Sequence, residues 1–160
     1  MRIGTGFDVH RLVAGRPLVL GGAVIPYAKG LEGHSDADVL VHAVMDAMLG
    51  ALALGDIGTH FPDSDPAYSG ISSLNLLGQV SRLITDRNYV VANLDTVIIA
   101  QQPKLAPYIG QIRDNLAAVL GISGDCVSVK ATTTETLGFC GRGEGIAAQA
   151  AVLLAPLRQA

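Results

Sequence analysis

Cysteine, clustered positive charge and long apolar runs are all scarce in this sequence. Two cysteines in 160 residues, Cys126 and Cys140, are too few for a disulfide framework and lack the paired spacing of a thiolate zinc site. The 11 Lys and Arg residues form no basic stripe, and 14 acidic residues outnumber them. We therefore expect two reduced structural thiols and no nucleic-acid partner.

The sequence also lacks a membrane-spanning segment. Its longest apolar stretch, 146–154, is interrupted by Gln149 and is far shorter than the roughly 20 residues that cross a bilayer. The N-terminal residues lack the apolar core of a signal peptide and are expected to begin a strand directly. These features predict no membrane contact and a cytoplasmic location.

Apolar residues, by contrast, are abundant. They make up 49% of the chain, whereas only 16% of the residues are charged, a balance more apolar than that of a typical soluble monomer. We expect part of this surplus to be buried between subunits. The length of the chain predicts a single domain over residues 1–160.

The pattern of apolar and turn-forming residues predicts an α/β fold with helices packed on a mixed β-sheet. A strand at 2–11 is followed by a hairpin around Gly21 and Gly22, and then by a helix that starts at Asp36 with Ser35 as its N-cap. The other predicted elements are a polar loop at 55–68, a helix at 71–85, a strand at 89–100, a helix at 105–120, and strands at 127–132 and 146–154.

Three residues form a candidate metal site. Asp8 and His10 are two positions apart in the first strand, so their side chains project from the same face. His42 in the first helix offers a third ligand, and a carboxylate with two imidazoles and one open position is a known catalytic zinc site. The alternative is a solvated strand end and a helix histidine with ordinary hydrogen bonds.

Asp38, His42 and Asp46 follow one another at spacings of four and are expected to share one ridge of the first helix. A carboxylate beside a metal-bound imidazole is its usual support. The ridge can equally be the exposed face of an amphipathic helix. His34 and Ser35 are predicted at the start of the same helix, where backbone N–H groups favour a phosphate, although Ser35 can also be a simple cap.

Residues 130–145 form a third cluster, rich in threonine and glycine. Hydroxyls, glycines and a carboxylate after a strand suit a diphosphate with a second, oxygen-liganded cation, although a glycine-rich connector has the same composition. No P-loop motif is present, and Gly4-Thr5-Gly6 is only a fragment of a dinucleotide fingerprint.

Several long motifs occur together and in order along the whole chain: GFDVHR, GHSDADVLVHAVMDAMLGAL, GDIGTHFPDSDP, QQPKL and KATTTETLGFCGRGEGIAA. With these motifs the sequence closely resembles the 2-C-methyl-D-erythritol 2,4-cyclodiphosphate synthases of the non-mevalonate isoprenoid pathway. The resemblance implies a bacterial or plastid enzyme. It also implies a homotrimer with active sites between neighbouring subunits, each holding one zinc ion and one magnesium or manganese ion.

The implied substrate is 4-diphosphocytidyl-2-C-methyl-D-erythritol 2-phosphate. Its 2-phosphate attacks the β-phosphorus, and CMP leaves. Residue by residue, the resemblance implies that Asp8, His10 and His42 bind zinc and that Glu135 binds the second cation. It also implies that His34 and Thr133 stabilise the transition state.

The resemblance further implies a set of substrate-binding residues, of which Asp8, His10, His34, Glu135 and Thr133 also have the roles above. Ser35 is expected to help hold a phosphate. The residues expected near the methylerythritol part are Asp56, Ile57, Gly58, Phe61, Pro62, Asp63, Ser64 and Asp65. Those expected around cytidine diphosphate are Ala100, Gln101, Gln102, Pro103, Lys104, Leu105, Ala106, Ala131, Thr132, Thr133 and Thr134.

Two other functions use some of the same residues. A zinc phosphohydrolase would use the same ligands to activate water. A trimeric module that binds an isoprenoid diphosphate would place Phe139, Arg142 and Glu144 around a central channel. The synthase is favoured because it alone uses the zinc ligands, the 55–68 loop and the threonine cluster together.

Overall fold

The strands form one five-stranded sheet and one separate hairpin in the residues that the computed structural model describes, 1–62 and 64–157. The strands are β1 (Arg2–Ala14), β2 (Leu18–Leu20), β3 (Ala23–Ile25), β4 (Lys29–Leu31), β5 (Tyr89–Ile99), β6 (Val127–Thr132) and β7 (Gly145–Pro156). The order in the large sheet is β4-β1-β7-β5-β6, with β5 and β6 parallel and the other pairs antiparallel. The predicted α/β fold with a mixed sheet is confirmed.

The helices are α1 (Val39–Ala51), α2 (Ile57–His60), α3 (Ser73–Thr85), α4 (Ile109–Leu120) and α5 (Gly138–Gly141). α1 packs on β1 and β7, and α3 packs on α1 and α4. α4 lies in the crossover between the parallel strands β5 and β6, as a parallel connection requires. The core therefore lies between the helices and one face of the sheet.

Strand β1 approaches α1 closely because it carries glycine where it faces that helix. Gly4 and Gly6 are buried there, and a Cβ atom added to Gly6 would lie 2.0 Å from the carbonyl oxygen of Ala43. Asp8 and His10 continue the same face of the strand. Gly4 and Gly6 thus allow the close packing that brings Asp8 and His10 up to the helix. This packing role accounts for the Gly4-Thr5-Gly6 sequence without a dinucleotide-binding site.

In the described part of the chain only the short α5 packs on the opposite face of the sheet, beside Phe7, and no long helix covers it. Ile3, Phe7 and Val9 of β1 project from it and are 74%, 60% and 39% exposed. Leu153 of β7 pairs with Ile3 and adds to the same surface. This apolar face could be buried against another subunit, and the burial of the apolar surplus between subunits stays a prediction.

The start of α1 differs from the prediction. The helix begins at Val39, and its N-cap is Asp38, which accepts a hydrogen bond from the backbone N–H of Val41. Ser35 is therefore not the cap; its hydroxyl oxygen accepts the N–H of Ala37 instead. Ala37 has a φ of 56°, a left-handed conformation that cannot continue a helix, so 34–37 forms a turn before α1.

Other predicted elements are correct in type with shifted ends. The β2–β3 hairpin is confirmed, and Gly21 and Gly22 both have positive φ in its turn. The predicted helix at 105–120 is split into a 3₁₀ turn at 106–108 and α4. The predicted loop 55–68 contains α2, and the threonine- and glycine-rich cluster 130–145 contains α5. Both cysteines are free, and no helix of the described ranges is long and apolar enough to cross a membrane.

Candidate metal and phosphate site

Asp8, His10 and His42 meet at the interface of β1 and α1. Oδ2 of Asp8 lies 3.0 Å from Nε2 of His10 and 3.1 Å from Nδ1 of His42, and the two ring nitrogens are 3.0 Å apart. Among the described residues this is the group of His, Cys, Asp and Glu side chains that can hold a metal ion, with all ligand atoms within 4.8 Å of one another. The structure thus brings the predicted triad together.

Hydrogen bonds fix the orientation of both imidazoles. Nδ1 of His10 lies 2.6 Å from the carbonyl oxygen of Glu32, and a carbonyl only accepts, so Nδ1 carries a proton and Nε2 is the nitrogen that faces Asp8. Nε2 of His42 lies 3.0 Å from the hydroxyl of Ser73 and 3.3 Å from that of Ser35. Each imidazole therefore directs one nitrogen at the shared site and binds the protein with the other.

The triad perturbs its own protonation. Burial alone would raise the pKa of Asp8, but hydrogen bonds and charge from His10 and His42 outweigh it and lower that pKa. Burial alone would lower the pKa of His10, but the bond to Asp8 and its negative charge raise it instead. Without a metal, the site therefore favours an ionised Asp8 beside a protonated His10.

The predicted support of His42 by Asp38 and Asp46 is wrong. The Asp38 carboxylate accepts the N–H groups of Gly21 and Gly22, so it ties the hairpin to the start of α1. Asp46 accepts the N–H of Ile57 at 2.8 Å. The first helix is buried on nearly all sides, so it has no solvated ridge on which the three polar groups could align.

Burial explains the pKa values of both carboxyl groups. It raises the pKa of Asp38 to about 6, against the opposing effect of the backbone N–H groups of Gly22, Gly21 and Val41. It also raises the pKa of Asp46, which the N–H of Ile57 opposes. Both carboxyl groups thus hold backbone segments around the site and do not contact the imidazoles.

A cavity of about 290 Å³ opens beside the triad. His34 and Ser35 form part of its wall, and Ile57, Gly58 and Phe61 of the 55–68 segment line it as well. The other lining residues are Asp8, His10, Gly33, His42, Met45, Tyr68 and Leu76. Two predicted groups, the phosphate-holding pair and part of the methylerythritol segment, therefore share one cavity with the metal ligands.

The backbone that carries His34 and Ser35 is held by Arg16. Its guanidinium donates to the carbonyl oxygens of Gly33 at 3.0 Å and of Ser35 at 2.8 Å. Nε2 of His34 is buried and has no hydrogen-bond partner among the described residues. A buried polar nitrogen of this kind is costly unless a partner is supplied, which makes the cavity suitable for an anion with hydrogen-bonding oxygens.

Other predicted contacts of the 55–68 segment lie outside this cavity. Asp56 caps α2 through the N–H of Thr59, and Asp65 caps the following 3₁₀ turn through the N–H of Ala67. Pro62 and Ser64 are exposed and do not line the cavity. Asp63 lies outside the described residues.

A second cavity of about 320 Å³ lies at the carboxyl ends of the parallel strands β5 and β6. This is the position at which ligands commonly bind to α/β sheets. Most of the predicted cytidine diphosphate segments meet here: the lining residues are Ala100, Gln101, Pro103, Lys104, Leu105, Ala106, Ile109, Ala131, Thr132 and Thr133. Gln102 and Thr134 were predicted there but are not part of the lining.

The threonine cluster has an unusual backbone. Glu135 and Thr136 have φ values of 52° and 67°, and such left-handed conformations of successive non-glycine residues are often found at functional sites. Thr133 donates its hydroxyl proton to Oε1 of Glu135 at 2.7 Å, and Gln101 accepts the N–H of Thr136 at 3.1 Å. Glu135 itself is exposed, so its carboxylate is accessible to a cation.

The two cavities lie at the same level of the sheet. Asp8 of β1 pairs with Ala148, Ala148 with Ile98, and Ile98 with Ala131 of β6. Three strand spacings of about 4.8 Å place the metal triad and the second cavity about 14 Å apart across one subunit.

The predicted channel residues lie near a third, apolar cavity. Phe139 lines it together with Phe7 and Leu137. Arg142 is exposed and pairs with Glu144, with Nε and Oε1 2.7 Å apart. The charge of Arg142 is therefore already partly neutralised within the subunit.

Sequence reasoning missed Ser73, Asp36 and Arg16. Ser73 lies 31 positions after His42, and only the packing of α3 against α1 brings the two together. Asp36 stands inside the quoted GHSDADV motif, but nothing in its spacing indicates its contact with Ser73. Arg16 acts on backbone oxygens, which leave no pattern in a sequence.

Known proteins resemble this chain over almost its full length. The model of the YgbB family matches residues 1–155. The 2-C-methyl-D-erythritol 2,4-cyclodiphosphate synthase of Alkaliphilus metalliredigens is 63% identical over 152 residues, 95% of this chain and 96% of that protein.

Solved structures agree in fold. The bifunctional IspDF of Campylobacter jejuni has a TM-score of 0.93 and 42% identity; the match covers 97% of this chain but 42% of that one. A 2C-methyl-D-erythritol-2,4-cyclodiphosphate synthase in a CDP-bound form has a TM-score of 0.89 and 38% identity, and the match covers 96% of this chain and 100% of that one.

Proposed function

This chain belongs to the YgbB family, and we propose that it converts 4-diphosphocytidyl-2-C-methyl-D-erythritol 2-phosphate into 2-C-methyl-D-erythritol 2,4-cyclodiphosphate and CMP. The 2-phosphate oxygen forms a bond to the β-phosphorus, and the bond from that phosphorus to the CMP oxygen breaks. The chain is thus a lyase of the non-mevalonate pathway. Residues 1–160 form one domain for this reaction.

The observation that carries the proposal is the cavity in which Asp8, His10 and His42 meet His34 and Ser35. A metal triad alone fits many hydrolases. A triad beside a phosphate-holding turn, with the apolar side chains of Ile57 and Phe61 opposite, fits a substrate with a phosphate and a small branched polyol.

The triad fits zinc by the chemistry of its donors. One carboxylate oxygen and two imidazole nitrogens with separations of 3.0 to 3.1 Å approach the roughly 3.3 Å between ligands of a tetrahedral zinc ion. The three side chains also line the cavity, so a metal held by them would be accessible to a phosphate there. Zinc supplies Lewis-acid polarisation of a phosphate oxygen when it is bound.

The chain's own groups position the reacting phosphates. Nε2 of His34 donates to a phosphate oxygen in place of the partner it lacks among the described residues, and Ser35 donates its hydroxyl proton. Thr133 contacts the diphosphate from the strand β6 side. Phosphoryl transfer depends mainly on such alignment and on charge neutralisation, so no protein nucleophile is needed.

Glu135 is the residue that would hold the second cation, magnesium or manganese. Magnesium is usually bound by one or two carboxylates together with phosphate oxygens and water, so a single exposed carboxylate is sufficient. Thr133 orients that carboxylate through its hydrogen bond to Oε1. A cation held there would supply positive charge to neutralise the diphosphate.

The second cavity binds the cytidine diphosphate part. Its wall is made largely of small residues and backbone, such as Ala100, Ala106 and Ala131, which allows backbone groups to approach the cytosine edge. A similar synthase was solved in a CDP-bound form, which supports a nucleotide at this chain's cavity. Lys104 adds a positive charge at the rim.

We place the complete site between subunits of a homotrimer. Within one subunit the triad and the nucleotide cavity lie about 14 Å apart across two intervening strands. Juxtaposing one subunit's triad with the next subunit's nucleotide cavity shortens that span, and the uncovered apolar face supplies an interface. Binding of an isoprenoid diphosphate at Arg142 in the trimer channel stays a prediction.

The test is CMP release from the named substrate by the protein before and after removal of metal with a chelator. We expect activity to be lost and then restored only when zinc and magnesium or manganese are both returned. Glu135→Gln should retain zinc but need much more magnesium or manganese. No CMP release by the fully metal-loaded protein would contradict the proposed function, and unchanged turnover after complete metal removal would contradict the role given to the metals.

A further inference from the structure

We propose that Arg16 is a positioning residue for phosphate binding, because its guanidinium holds the backbone of residues 33–35 in the shape that presents His34 and Ser35 to the cavity. The inference rests on the proposed function in one respect, namely that His34 and Ser35 hold a phosphate group. Arg16 does not line the cavity, and its hydrogen bonds go to backbone oxygens of the segment. It therefore acts on a bound phosphate through other residues.

The guanidinium of Arg16 clamps both ends of the segment 33–35. Nη1 donates to the carbonyl oxygen of Gly33 at 3.0 Å, and Nη2 donates to that of Ser35 at 2.8 Å. A guanidinium holds its N–H groups in a rigid planar fork, so these two bonds together fix the separation and the direction of the two carbonyl groups. Each carbonyl group lies in the plane of its peptide bond, so the planes before His34 and after Ser35 are both held.

The remaining backbone bonds of the segment come from the other side. The carbonyl oxygen of His34 accepts the N–H of Gly70 at 2.9 Å, and the N–H of Asp36 donates to the carbonyl oxygen of Ile71 at 3.1 Å. Both partners lie just before α3. In the part of the chain that the structure describes, Arg16 is the side chain that binds carbonyl groups of 33–35, so its loss would leave the segment attached on one side only.

Local structure explains why Arg16 reaches this segment. Gly15 turns the chain after β1 with a φ of 79°, and Pro17 disfavours a helical conformation of Arg16. Gly30 of β4 packs directly on this connection, since an added Cβ atom would lie 2.1 Å from the carbonyl oxygen of Pro17. Because β4 ends just before the segment 33–35, the clamp joins two stretches of chain that are already in contact.

The guanidinium also places a positive charge behind the phosphate-holding residues. None of the ion pairs among the described residues includes Arg16, and its bonds go to uncharged carbonyl groups. Its charge is therefore not neutralised by a carboxylate. Since Arg16 is half-buried, salt screens this charge less than it screens an exposed one. Arg16 thus contributes both geometry and charge to an anion held at Ser35.

Two substitutions separate the geometry from the charge. Arg16→Lys keeps the charge but replaces the planar fork by a single ammonium group, which cannot hold both carbonyl groups in the same arrangement. Arg16→Gln removes the charge as well. Arg82→Lys is the matched control, because Arg82 is exposed on α3 and makes the same chemical change away from the site.

The first measurement needs no turnover. It is the affinity of inorganic phosphate for the zinc-loaded, full-length protein, measured by calorimetric titration. We expect the dissociation constant to rise about 10-fold in Arg16→Lys and further in Arg16→Gln, since bonds from a charged donor are lost, and to stay unchanged in Arg82→Lys. The backbone N–H of Asp36 should also exchange with solvent faster in both Arg16 variants, because its peptide plane is no longer held.

The second measurement is the kinetics of CMP release. We expect kcat/KM to fall roughly 10- to 100-fold in Arg16→Lys, because displaced phosphate-holding groups misalign the reacting phosphates. Zinc content and inhibition by CMP should equal those of Arg82→Lys, since Arg16 belongs to neither the metal triad nor the second cavity. A role in folding alone would lower the melting temperature without this selective loss.

Phosphate affinities of both Arg16 variants equal to that of Arg82→Lys would overturn the proposal, even if the variants melt at lower temperature. A loss in Arg16→Gln alone would show that only the charge matters and would overturn the clamp. Parallel losses of phosphate, zinc and CMP binding would also overturn it, because they would indicate general damage to the fold. If Arg16→Gln does not fold, Arg16→Lys decides alone. Absence of CMP release by the wild type would contradict the proposed function, and the phosphate affinities would still decide the role of Arg16.

Discussion

Gly6 of β1 lies directly against Ala43 of α1, since a Cβ atom on Gly6 would fall 2.0 Å from the carbonyl oxygen of Ala43. Gly6→Ala should therefore push the helix from the strand and destabilise the fold by about 1–3 kcal/mol or more. Because His42 precedes Ala43, zinc affinity should fall as well. Denaturant unfolding and chelator competition measure the two effects.

The matched control is Gly110→Ala in α4, where an added Cβ meets nothing within 4 Å. Its stability should change by less than about 1 kcal/mol, and its zinc affinity should not change. Equal stability of Gly6→Ala and Gly110→Ala would contradict the role given to the close contact.

His42→Ala should lose zinc and activity while remaining folded. Truncation leaves Ser73 without its imidazole partner at a buried position, so we expect a stability cost of about 1–3 kcal/mol, smaller than the total stability of a typical domain. Elemental analysis and circular dichroism measure zinc and folding. His60→Ala is the control, because His60 contacts the carbonyl oxygen of Leu54 outside the triad, and it should keep its zinc. Full zinc occupancy in His42→Ala would show that His42 is not a zinc ligand.

The metal-free protein should lose stability as pH rises through the pKa of His10. The raised pKa of His10 stabilises the fold fully below the unfolded pKa of 6.5, and this stabilisation is lost as the pH rises through the folded pKa. The lowered pKa of Asp8 stabilises the fold fully above 3.8, and this stabilisation is lost in more acidic solution. The Asp8–His10 pair therefore stabilises the fold most between pH 3.8 and pH 6.5. Thermal melts across pH should show a melting temperature that declines above pH 6.5 in the metal-free wild type. The decline should be weaker in His10→Asn and absent when zinc is bound. Identical pH profiles for the wild type and His10→Asn would contradict the pairing.

Phe7→Asp should break the proposed trimer. Phe7 is 60% exposed on the uncovered sheet face, and a buried, unpaired carboxylate at a subunit interface is strongly unfavourable. Light scattering after size-exclusion chromatography should give a trimer for the wild type and smaller species for the variant, with CMP release lost. Val24→Asp, on the separate hairpin, is the control; an active wild-type monomer would contradict the shared site.

Much of the fold was predictable because its signals are local. The β6 strand was predicted with both ends correct, as its residues have high strand propensity and loops flank it. The start of α1 was not, because Ser35, Asp36 and Asp38 are all good caps and the left-handed Ala37 has no sequence signature. Local pattern alone cannot choose among three such candidates.

The candidate site was likewise predictable only in part. The spacing of Asp8 and His10 places them on one face of the strand, and the structure brings His42 of the first helix to the same place, as predicted. The surroundings of His42 were predicted wrongly because a spacing of four in a helix implies a shared face only, and this helix is buried all round. The actual partner, Ser73, comes from another helix and depends on tertiary packing.

The central claim is that the substrate's own 2-phosphate is the nucleophile, and the fate of solvent oxygen tests it most directly. The reaction is run with the zinc- and magnesium-loaded protein in ¹⁸O-water, and the ¹⁸O content of both products is measured by mass spectrometry. Cyclisation predicts an unlabelled cyclic diphosphate beside unlabelled CMP, since no water oxygen enters a bond to phosphorus. Label in a linear methylerythritol product would show that the triad activates water and would contradict the account.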